Sequence, residues 1–260
     1  MATVRPPVFV KKQRQRRGFV ESVSASLALT QGIAFDATTN SGYQTASASY
    51  SWSHTCAGAD RYLIVAISML SVVGSSVSGI TYNGVAMSLL RARASGAGAV
   101  RSEMWGLVAP ATGSNTIAVT LSAALDSIGS ACSFTGVHQT SPTEGANDAS
   151  ATNVGAADAT VDVTTVADND WVVDNVASSD TAITVGAGQI SRANTTGALG
   201  SGALSTEGPK TPAGSVTMSW ADVGALATWT TVAIALRPTL AASLISAVRA
   251  MFNYRRRRVA

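Results

Sequence analysis

"GITYNGVAMSLL", residues 79–90, sets two strand-like runs on either side of Asn83-Gly84. Asn and Gly both tolerate positive φ, which the two central positions of a type I′ turn require. The stretch therefore predicts a β-hairpin, with strands near 80–82 and 85–90. The same texture continues on both sides. From about Ile33, short apolar runs alternate with Gly, Ser, Asn and Asp clusters roughly every 10 residues, the spacing of a sandwich or barrel. Further strands are expected at 45–53, 61–68, 102–108, 115–122, 129–136, 159–165, 170–177, 188–193, 199–206, 215–221 and 228–236.

Several of these runs alternate with a period of two. In "ATVDVTT" (159–165), Val161 and Val163 oppose Thr160, Asp162 and Thr164. In "SVTMSW" (215–220), Val216, Met218 and Trp220 share a face. Such strands bury one face and wet the other. "YLIVAI" (62–67) is apolar throughout, which places it centrally. About a dozen strands without intervening helices predict an all-β fold: a two-sheet antiparallel, jelly-roll-like sandwich over residues 31–238, with two separate sandwiches as the alternative. The polar stretch 137–158 is expected as a long surface loop between the halves of this body.

Composition agrees. Only 13% of the 260 residues are charged, and small and β-branched residues dominate. The charge is segregated. Arg5, Lys11, Lys12, Arg14, Arg16 and Arg17 precede the first acid, Glu21. Arg237, Arg249, Arg255, Arg256, Arg257 and Arg258 crowd the other end. Between positions 21 and 236 lie six bases and all 15 acids, a balance of −9 against +12 at the two ends. Residues 1–30 therefore read as a basic extended arm, with "RPPVF" favouring polyproline II. After Pro238, Leu240, Leu244, Ile245, Val248, Met251 and Phe252 recur at helical spacing. Residues 239–260 read as an amphipathic helix with an Arg-rich tail, its contact face carried by Leu244, Val248 and Phe252. The ten bases at 5, 11, 12, 14, 16, 17 and 255–258 are the expected contacts for assembly or for a polyanion.

Catalytic and metal chemistry needs converging groups, and few converge here. His54 and Cys56 share a strand face, but two ligands fall short of a closed zinc site. They read as a half-buried histidine beside a core cysteine, and His138 as solvated on the polar loop. Asp168, Asp170 and Asp174 offer oxygen ligands for calcium, yet a solvated turn leading into a strand accounts for them better. Cys56 and Cys132 are expected as buried free thiols, with a disulfide as the alternative. The five tryptophans sit within strand patterns and are expected in the core. No G-x-S-x-G, P-loop or GxGxxG occurs. No enzyme, cofactor, metal or small-molecule substrate is expected. No run of 18 apolar residues predicts a spanning helix. "RRGFV" (16–20) looks like a twin-arginine signal, but "SVSASLALTQGIA" after it is too polar for a convincing signal peptide.

The ensemble "RYLIVAISM…VSGITYNGVAMSLL…SEMWGLVAPATGSNTIAVTLS…GSACSFTGVHQTSP" resembles a β-sandwich module of bacteriophage virion proteins and some bacterial surface proteins. It covers about residues 45–142, with weaker continuation to 237, and carries no catalytic residues. The resemblance implies a structural or adhesive module located in a virion made in the host cytoplasm. The expected function is a capsid, capsid-decorating or tail protein, with a carbohydrate-binding or host-adhesion module as the alternative. Its basic ends would meet copies of itself, other virion proteins or packaged nucleic acid, and membrane contact is not expected.

Overall fold

The computed structural model describes residues 32–70, 74–96, 98–154, 158–222 and 227–239. The strands are β1 Ala34–Cys56, β2 Tyr62–Leu70, β3 Val77–Tyr82, β4 Val85–Ala86, β5 Ser88–Ala94, β6 Val100–Val108, β7 Gly113–Thr135 and β8 Thr143–Val154. They continue as β9 Ala159–Thr164, β10 Asp170–Ser178, β11 Ile183–Val185, β12 Ile190–Gly197, β13 Gly200–Lys210, β14 Ser215–Asp222 and β15 Ala227–Leu236. Every pairing is antiparallel. The all-β expectation holds, but the strands form three sheets where the sequence predicted two. The arm and the helix expected at the ends lie outside the described residues.

The first sheet runs β4-β3-β7-β2-β6-β5, with β1 along β7. Its long strands serve two neighbours in turn. The first half of β7 pairs with β3 and the second half with β2, while β1 follows both through four register shifts. The sheet thereby folds over on itself. Leu63, Val65, Ile67 and Met69 of β2 meet Ile80, Tyr82, Ile117 and Val119 inside the fold. The expected strands at 115–122 and 129–136 are thus one bent strand. The bend breaks the apolar run without ending the strand.

The opposite face of β2 presents Tyr62, Ile64 and Ala66 to the second sheet, β12-β13-β10-β15-β8, where Val173, Leu204, Val232 and Ile234 receive them. The second sheet in turn buries Val172 and Ala233 against Val161, Val163, Val216 and Met218 of the third, β11-β14-β9. Four layers result, and the inner two are buried on both sides. This explains why all nine residues of β2 are buried.

The stretch 137–158 corrects the sequence reading. Thr143–Val154 is not a loop but the edge strand β8, paired with β15. It gives no apolar signal because an edge strand of small residues needs only partial burial to pair. The predicted run 85–90 also divides, since Met87 turns into the core between β4 and β5.

The hairpin forms as expected. Tyr82 pairs with Val85, and Asn83 and Gly84 have φ of 51° and 76°. A Cβ on Gly84 would meet nothing within 4 Å, so a substitution there is opposed by backbone strain alone. Gly84→Val should destabilise the protein by about 1–3 kcal/mol, and Gly84→Asn by much less, because Asn tolerates the left-handed region. Urea unfolding of the two variants checks this.

Candidate assembly surface

The basic residues expected to make contacts are Arg5, Lys11, Lys12, Arg14, Arg16 and Arg17 at one end, and Arg255, Arg256, Arg257 and Arg258 at the other. All ten lie outside the described residues, as do Leu244, Val248 and Phe252 of the expected helix face. The points from which the two ends depart are described. Ala34, the first residue of β1, pairs with Thr135, and Ile33 packs beside Val137 in the core between the first two sheets. At the other end, Arg237 N donates to Pro142 O, Pro238 bridges Val137, and Thr239 N donates to Gly136 O. Both basic ends therefore leave from one corner, on either side of residues 135–137.

The acids are elsewhere. Residues 32–142 hold four acids and four bases, whereas residues 143–236 hold ten acids against two bases, a balance of −8. The first sheet is neutral, and the negative charge belongs to the second and third sheets. Some of it is consumed internally. Arg91 and Arg93 of β5 clamp Asp148 of β8, tying the edge of the first sheet to the edge of the second. Glu207 pairs with Lys210. Arg237 Nε lies 3.5 Å from Glu144 Oε2. Among the described residues, no ion pair reaches Asp158, Asp162 or Asp168, all of them exposed.

Asp162 projects from β9 on the outer face of the third sheet, where Thr217 donates to it. The register there sets Thr164, Asp162 and Thr160 opposite Ser215, Thr217 and Ser219 of β14. That face is polar, and among the described residues it carries no cation. At its margin, an open groove of about 360 Å³ runs between β8 and β9, lined by Glu144, Asn147, Asp162, Thr164 and Val166 among others. Asn147 Nδ2 donates to Asp162 O at 2.7 Å and holds the two edges together. The sequence reading misses this surface. The unequal charge of the two halves is the available signal, but without β8 as a strand nothing places Glu144 beside Asp162.

The other residues singled out by sequence are structural. His54 is fully buried, not half-buried, because β1 folds under the hairpin strand. Its Nδ1 lies 2.9 Å from Thr39 Oγ1, its ring meets Tyr82 edge-on, and burial lowers its pKa to about 4. Cys56 and Cys132 are free, buried thiols in separate core clusters, and burial raises both pKa values, that of Cys132 to about 12. His138 Nδ1 accepts from Ser141 N at 3.0 Å in the turn before β8.

The three aspartates do not converge. Asp168 accepts from Ala213 N, and Asp170 from Val166 and Ala167 N. Asp174 points at the third sheet, where Trp220 Nε1 donates to it at 2.8 Å, and Ser205 N of its neighbour β13 donates at 3.1 Å. Burial nevertheless pushes the Asp174 carboxyl up to about 7. Burial and the neighbouring Glu144 carboxyl raise Asp170 as well. No group of three or more potential metal ligands occurs among the described residues.

No protein-family model, curated protein or solved structure matches the chain.

The buried ionisable groups act on stability in opposite senses. Folded Asp174 keeps a proton that the unfolded chain releases near pH 3.8. Its stabilisation is complete below that pH and is lost as pH rises through about 7, at roughly 1.4 kcal/mol per pH unit. His54 stabilises fully above its ordinary pKa of 6.5, and that contribution is lost as pH falls towards 4. The melting-temperature advantage of the parent over Asp174→Asn should therefore shrink from pH 4 to 7. Its advantage over His54→Gln should grow from pH 4 to 6.5. Thermal melts across this range check both.

Proposed function

We propose that the chain is a non-enzymatic virion structural protein, a capsid, capsid-decorating or tail component, assembling in many copies through its basic termini. The placement of charge carries this reading. The segments bearing +12 leave from one corner, while a balance of −8 lies on the β8–β15 half of the body. A protein with both poles can bind copies of itself, and complementary charge sets the register of such contacts. A jelly-roll-like sandwich body, an extended arm and an amphipathic helix with Leu244, Val248 and Phe252 as its contact face complete the proposal.

The adhesion alternative requires aromatics on an open surface. Among the described residues no Trp, Tyr or Phe is exposed. Trp220 and Trp229 are buried, and Trp52, Trp105 and Trp171 pack against core clusters. This favours the structural reading over glycan binding.

Electron microscopy of the purified full chain at low salt should reveal regular shells, tubes or fibres. Residues 32–239 alone should fold and melt as a body yet build no particles. Particle formation by the truncated chain equal to that of the parent would sink the role assigned to the termini. Formation should weaken as salt approaches 1 M, where the Debye length falls to about 3 Å.

A further inference from the structure

The placement of the two poles names the surface that a basic terminus meets, an inference that rests on the assembly reading above. We propose that the groove between β8 and β9, with the adjoining outer face of the third sheet, receives the arginine-rich segment 255–258 of a second copy of this chain.

Three observations converge on this surface. First, three of its carboxylates have no ion-pair partner among the described residues. Asp158, Asp162 and Asp168 are exposed, and no ion pair among the described residues reaches them. The face between them offers only Thr and Ser side chains, and no Lys or Arg occurs between residues 143 and 191. A guanidinium suits such a surface, because its planar fork binds a carboxylate and neighbouring hydroxyl oxygens together. Second, the groove already accepts this chemistry once. Arg237, the residue that leads into the C-terminal segment, pairs with Glu144 at the groove wall.

Third, the described end of the chain departs away from the groove. Leu236 lies opposite Thr143. Beyond it, Arg237, Pro238 and Thr239 run along residues 142 to 136, and so away from Glu144 and Asn147 in the groove. The chain's own arginines would have to double back to reach it. A neighbour's arginines face no such reversal. As the helix proposed above, the stretch from Thr239 to Arg255 spans about 24 Å, a reach sufficient for a directly adjacent molecule. Each copy thus carries a donor segment and an acceptor face at separate places. That is the condition for a repeating contact, reciprocal in a pair or propagated head to tail.

Charge reversal of the two partners tests the proposal. One full-length variant carries Asp158→Arg and Asp162→Arg. The other carries Arg255→Glu, Arg256→Glu, Arg257→Glu and Arg258→Glu. Both positions on the face are exposed, so folding should persist, and thermal melting of each variant checks this. Asp158→Asn with Asp162→Asn provides a milder second variant. Sedimentation velocity at low salt, after nuclease treatment, reads self-association.

The parent should associate. Each reversed variant alone should lose association, because its segment and its face then carry the same sign. An equimolar mixture of the two should recover it, because each segment finds an opposite face on the other protein. Association of the face variants at the parental level would overturn this surface while leaving assembly through the termini intact. Association of the tail variant at the parental level would overturn the role of the arginine-rich segment 255–258 as well. Loss in both variants without recovery on mixing would overturn pairing between copies. Loss of parental association on nuclease treatment would assign the arginines to nucleic acid instead.

Discussion

Two of the four layers in this fold have no face turned to water, and that constraint governs most of what surrounds them. A strand buried on both sides must be apolar along its length, or must settle its polar groups within the protein. β2 takes the first course, with Leu63, Val65, Ile67 and Met69 on one face and Tyr62, Ile64 and Ala66 on the other. β10 takes the second. Asn175 Nδ2 donates to Ser102 and Ser68 of the first sheet at 2.6 and 3.1 Å, and Ser68 donates to Val176 O. On the other side of the same strand, Asp174 is held by Ser205 and Trp220. These polar contacts restrict how the layers stack, whereas apolar contact alone would tolerate sliding. Close approach adds a further restriction. A Cβ on Gly202 would meet Ser68 Cβ at 2.6 Å, so the second sheet lies directly on β2 at that point.

The same stacking distributes the charge. Most exposed carboxylates lie at edges and on the outer sheet, while the inner layers hold Glu103, paired with Arg101, and the hydrogen-bonded Asp170 and Asp174. The two arginines of β5 cross to Asp148 and join the edges of neighbouring sheets. The acids of β9 and its flanks have no counterpart, because the third sheet contains no base. The negative surface thus arises from layering, while β1 begins and β15 ends at one corner of the body.

The strands most legible in the sequence are those whose neighbours impose a simple pattern. β9 alternates because one face meets the second sheet and the other meets water. The Asn83-Gly84 turn needs only its own two residues to adopt positive φ. β8 and β11 escape a sequence reading for a common reason. β8 is an edge of small and polar residues, and β11 has only three residues, so neither carries a periodic signal of useful length. β7 reads as two strands because its bend interrupts the apolar pattern, and β1 beside it follows both halves with its register broken between Leu125 and Thr120. The arginines at 255, 256, 257 and 258 are plain in the sequence as a charge run, but their acceptor is not, because Glu144 and Asp162 come together only when β8 lies beside β9.

By itself, the sequence determined the strand content, the hairpin, the central place of β2 and the segregation of basic ends from an acidic body. All of these follow from local chemistry: backbone preferences, period-two burial and a count of charges. Only the tertiary structure decided that the strands form three sheets in four layers, that Glu144 and Asp162 share a groove, and that both ends depart from one corner. Those last facts depend on pairings between residues about a hundred positions apart, such as Ala34 with Thr135 and Val137 with Pro238. No local pattern encodes them, because a strand's alternation says which face is buried and leaves open what buries it.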